Sequence, residues 1–68
     1  MRLVIHLKDI LKQRGMTQKE LSEKCGLREA ALSEFANGTR TTINKEHLIK
    51  IANALNIRDI RELMSLED

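Results

Sequence analysis

A chain of 68 residues is expected to form one domain, residues 1–68, and a domain this short buries only about 60% of the surface its unfolded chain exposes, leaving little volume for a deep substrate pocket. Hydrophobic residues at 41% and charged residues at 32% fit a soluble globular domain, and the lone aromatic, Phe35, excludes a stacking platform for single-stranded nucleic acid. The net charge is only +2, but basic residues gather in residues 1–16 (Arg2, Lys8, Lys12, Arg14) and residues 39–51 (Arg40, Lys45, Lys50), a footprint that suits a polyanion if folding brings both blocks to one face.

The opening Leu3-Val4-Ile5 is broken at once by His6 and Lys8, so neither a secretory core nor a membrane span is expected. A single cysteine, Cys25, cannot form an internal disulfide, and a reducing, cytoplasmic setting follows as the expectation.

Residues 2–6 are β-branched enough for a short strand or extended arm. That segment could pair with residues 41–43 or with its own copy in a second subunit. Lys8 to Arg14 reads as a first helix, with Leu7, Ile10 and Leu11 on one face and Gly15 as its stop. Thr17-Gln18-Lys19-Glu20 opens a second helix with a capping box, and Met16 and Leu21 hold the positions of a hydrophobic staple. Gly26 ends it, tolerating the positive φ that a tight turn demands. A third helix, about residues 28–37, carries Leu27, Ala31, Leu32 and Phe35 inward and stops at Asn37-Gly38. Residues 39–43 read as loop. Asn44 can cap a fourth helix with Leu48, Ile51, Ala52 and Leu55 on its core face, and Asn56 can take a left-handed stop. Residues 58–64 read as a fifth short helix, with Ile57, Ile60, Leu63 and Met64 inward, and Ser65 to Asp68 as a frayed polar tail.

Residues 17–38 are the informative stretch: two short helices about a glycine turn, with small Ser22 allowing close approach and Leu21, Cys25, Leu27, Leu32 and Phe35 sealing the joint. On Met16 to Leu27, on Leu32-Ser33, on Asn37-Gly38 and on Leu48 to Ile57, the sequence resembles the Cro/repressor-type helix-turn-helix domains of phage repressors and bacterial regulators. The extended start and Arg40 to Leu48 look like a subgroup of compact regulators common in Gram-positive bacteria and their phages.

The resemblance implies an all-α, five-helix lambda-repressor-like bundle with a short N-terminal extended segment. It also implies sequence-specific binding of duplex DNA in transcription regulation, as a repressor. Gln18, opening the second helix, would touch a backbone phosphate. Arg28, Glu29, Ala30, Ser33 and Glu34 would meet base edges from a third helix in the major groove. Asn37, Thr39, Arg40, Thr41 and Thr42 would touch phosphates. The sequence departs from the family's pattern where Arg28 replaces the usual serine or threonine and where Glu29 and Glu34 face a polyanion. Glutamate can accept a hydrogen bond from cytosine N4, and Ala30 can pack on a thymine methyl.

Blander readings stand beside these. The glycine turn could join an ordinary helical hairpin, Gln18 could be a plain first-turn residue, and residues 40–42 a polar loop. Glu29 and Glu34 could form a solvated face, Glu29 being favoured at a helix N-terminus on dipole grounds alone. They could equally form a protein-binding face, as in an anti-repressor or antitoxin-like module. Cys25, His6 and His47 lack metal-ligand spacing, Ser22 and Ser33 lack a paired base, and no Gly-rich phosphate loop occurs. No enzyme activity, cofactor, metal or small-molecule ligand is therefore expected. One such domain reads half an operator, so a homodimer is expected, through Leu3 and Ile5 of the arm or Met64 and Leu66 near the end.

Overall fold

The computed structural model describes residues 1–39 and 41–68. It contains β1 (Arg2–Ile5), α1 (Leu7–Arg14), α2 (Gln18–Cys25), α3 (Glu29–Asn37), α4 (Lys45–Ala54), a single 3-10 turn (Ile60–Glu62) and β2 (Met64–Glu67).

Local signals set most boundaries. The Thr17 hydroxyl accepts the Glu20 amide at 3.1 Å, while a Glu20 carboxylate oxygen accepts the Thr17 amide at 3.2 Å, satisfying two donors that a helix start otherwise leaves open. Met16 packs against the core, as a staple requires, and Leu21 is fully buried. Asn44 Oδ1 accepts the Glu46 and His47 amides at 2.9 and 3.3 Å. Gly26 closes α2 with φ 76°, and a Cβ there would meet open space. Its requirement is therefore the left-handed backbone rather than close approach. Asn56, after α4, also takes a left-handed stop, with φ 56°.

Every long element contributes to one core. Leu7, Leu21, Leu32, Ile51, Leu55 and Leu63 are its fully buried side chains. Helix α2 packs on both α3 and α4. Ser22, expected only to be small, also donates its hydroxyl hydrogen bond to the Leu27 carbonyl across the turn.

The C-terminal quarter corrects two expectations. The fifth helix is not formed, and among the described residues four α-helices stand where five were expected. Residues 60–62 make a single 3-10 turn, and Ile60, expected inward, is 55% exposed. Residues 64–67 are not a frayed tail but a strand, paired antiparallel to β1 with Leu3 opposite Leu66 and Ile5 opposite Met64. Within the chain, the partner of the N-terminal segment is thus residues 64–67 rather than residues 41–43. Leu63 explains the outcome. It is 1% exposed and closes the core from the end of the 3-10 turn, and its carbonyl accepts the His6 amide at 2.7 Å. Burying Leu63 brings the following residues alongside β1, where pairing satisfies backbone groups that a frayed end would leave to water. The His6 ring and the Ser65 hydroxyl lock the ribbon from the side at 2.8 Å, and the same hydroxyl donates to Glu67 at 2.9 Å.

Candidate nucleic-acid interface

Helix α3 begins one residue later than expected. Arg28 is its N-cap, extended at φ −69° and ψ 149°, and makes no side-chain cap bond. Leu32 and Ala36 bury one side of the helix. Positions i, i+1, i+4, i+5 and i+8 share the other side, which groups Glu29, Ala30, Ser33, Glu34 and Asn37. Glu29, Ala30 and Asn37 are exposed, whereas Ser33 and Glu34 are half-buried. Gly38 ends α3 in the left-handed region, and Thr39, Thr41 and Thr42 follow as exposed residues. Arg40, expected as a phosphate contact, lies outside the described residues. Gln18 is the first residue of α2 and is half-buried beside the capping box.

The expected contacts divide between two surfaces. Glu29, Ala30, Ser33 and Asn37 belong to the outward face of α3. Arg28, Glu34, Thr41 and Thr42 instead line a groove of about 660 Å³ between β1, α3 and the loop before α4. Leu3, Ile5, Ala31, Phe35, Ile43 and His47 complete much of its wall, and sequence reasoning assigned no such role to any of them. Phe35 and Ala31 carry a helical core period, so their opening onto a groove had no local signal.

Electrostatics refine the basic blocks. Arg14 donates to the carbonyl of Leu55 at the end of α4, where a cation complements unpaired carbonyls and the helix dipole. Arg61 is held by Asp59 at 2.7 Å, and that hydrogen-bonded partner keeps the Asp59 carboxyl below its ordinary range. Among the described residues, Arg2, Lys8, Lys12, Lys45 and Lys50 are the exposed cations of the two blocks left to meet a polyanion from outside α3. The outward face of α3 itself carries no cation among the described residues.

Residues 7–63 match the family model described as helix-turn-helix, of the Cro/C1 type. No curated protein and no solved structure matches the chain significantly.

Proposed function

Because this chain belongs to the Cro/C1-type helix-turn-helix family, we propose that it is a sequence-specific duplex DNA-binding regulator, acting as a repressor on nucleoid DNA in the cytoplasm. The observation that carries this reading is the capped α2, glycine turn and outward face of α3 in one unit, Thr17 to Gly38. Glu29, Ala30 and Ser33 enter the major groove. Gln18, Asn37 and Thr39 hold phosphates, and Lys45 adds charge. Phosphate contacts position the domain, while the few base-edge contacts supply specificity. A palindromic operator needs two copies. The β2 side of the ribbon, where Leu66 is 65% exposed, is the apolar surface offered to a homodimer.

A second reading is favoured by one observation, the carboxylate of Glu29 on a cation-free helix face: α3 docks on a basic protein surface, as an anti-repressor or antitoxin-like module would. Selection of bound duplexes from a random pool at low salt separates the two. An enriched palindrome, with affinity falling steeply as salt rises, supports the DNA reading. No enrichment at any protein concentration refutes it and leaves the protein-docking reading standing.

A further inference from the structure

The hydrogen-bond parity of the ribbon identifies an unused edge. The His6 amide donates to the Leu63 carbonyl, so this opposed pair is a hydrogen-bonded one. In an antiparallel ladder such pairs alternate with pairs whose N–H and C=O groups point away from the partner. With Arg2 opposite Glu67 and Val4 opposite Ser65, the bonded pairs are the even positions of β1. The N–H and C=O groups of Leu3 and Ile5 therefore point to the other edge of β1, and no backbone bond of the described residues uses them.

That edge borders the groove. Leu3 and Ile5 line it, whereas no residue of β2 does, so the space lies beside β1 rather than beneath the ribbon. Its floor is apolar, from Ala31, Phe35 and Ile43. Among the described residues Arg28, on its wall, has no ion pair or side-chain hydrogen bond, while the groove's acid, Glu34, is already engaged.

We propose that this groove binds an extended peptide segment of a partner protein as a third strand on β1. The segment's backbone pairs with Leu3 and Ile5, alternate apolar side chains enter over Phe35 and Ala31, and a carboxylate meets Arg28. Strand addition of this kind takes its affinity from main-chain bonds and its specificity from pockets for alternate side chains. A small amphipathic acid could answer Arg28 and the apolar floor, but it would leave the four backbone groups unmatched. The groove's floor is a flank of α3, so an occupant acts on the helix proposed to read DNA. Only this consequence rests on the DNA reading, because the binding test below contains no DNA.

The test screens a random library of short capped peptides against the intact protein, then follows a selected peptide by amide hydrogen exchange. The expected selection is alternating apolar residues with Asp or Glu at one fixed position. The peptide slows exchange of the Leu3 and Ile5 amides, which have no ladder partner in the free protein, by about tenfold once most sites are filled. Leu3→Pro removes an outward N–H but no ladder bond, a place where an edge strand tolerates proline. It abolishes binding while the protein still melts cooperatively. Arg28→Glu, which leaves β1 untouched, turns the selected charge to Lys or Arg. No enriched pattern overturns the proposal. So does equal binding by a folded Leu3→Pro variant, or an unchanged charge preference in Arg28→Glu. Protection of Leu3 and Ile5 that rises with protein concentration alone also overturns it, and gives the edge to a second copy.

Discussion

Proline substitutions at two adjacent residues of β2 should differ sharply. Ser65 belongs to a hydrogen-bonded pair with Val4, so Ser65→Pro removes the N–H that the Val4 carbonyl accepts. The Ser65 hydroxyl also bonds His6, so Ser65→Ala is the proper reference. Relative to that variant, the proline should cost about 1–3 kcal/mol, combining a lost bond with a carbonyl left unmatched in half-buried surroundings. For a domain of this size each kcal/mol moves the melting temperature by roughly 4–8 °C. The expected difference between Ser65→Pro and Ser65→Ala is thus on the order of 5–20 °C by differential scanning calorimetry. Leu66 is 65% exposed and opposes Leu3 in a pair without ladder bonds, so Leu66→Pro should melt within a few degrees of the parent. Two prolines with equal effects would refute the derived parity, and with it the free edge at Leu3 and Ile5. Two harmless prolines would show that residues 64–67 contribute nothing to folding.

Thr17→Ala should lower stability by roughly 0.5–2 kcal/mol through loss of the capping box, read by urea unfolding with an unchanged m-value. Leu21→Ala, at a fully buried position, should cost about 2–5 kcal/mol, and loss of a cooperative thermal transition is the expected readout in so small a domain. The Asp59 carboxyl is held below its ordinary value by Arg61, so its contribution is present above the ordinary carboxylate range and lost as pH falls through the lowered value. The stability gap between Asp59→Asn and the parent should therefore close on acidification, and a gap that widens would reverse the assignment. Glu29→Gln should strengthen binding to random-sequence duplex at low salt by removing a charge facing phosphate, and weaken any preference for a C·G pair at one operator position by about 1–3 kcal/mol. Fluorescence anisotropy with labelled duplexes reads both, and unchanged binding to every duplex would remove Glu29 from the interface.

The helix-turn-helix was legible in the sequence because its instructions are local. Thr17 and Glu20 are three residues apart, Gly26 and Asn56 specify backbone conformations at their own positions, and Asn44 caps amides two and three residues on. The outward face of α3 was legible in part: helical period groups Glu29, Ala30, Ser33, Glu34 and Asn37, but Glu34 lines the groove instead. The C-terminal strand was not. Ile60, Leu63 and Met64 fit a helical spacing as well as they fit a turn and strand, and a short apolar run carries both readings.

Deciding between those readings required a partner 59 residues away, where His6 bonds Ser65. Strand pairing satisfies backbone groups that every residue carries, so no side chain within residues 64–67 announces it. The groove is non-local in the same way. Residues 3, 5, 28, 35 and 43 meet only after β1 has been fixed to β2 and the core has placed α3 beside them. The sequence by itself determined, to within a residue or two, where α1 to α4 start and stop and most of the side of α3 that turns outward, through contacts within a turn or two of chain. Only the tertiary structure decided what the two ends of the chain do, because their hydrogen-bond partners exist only once the core has closed.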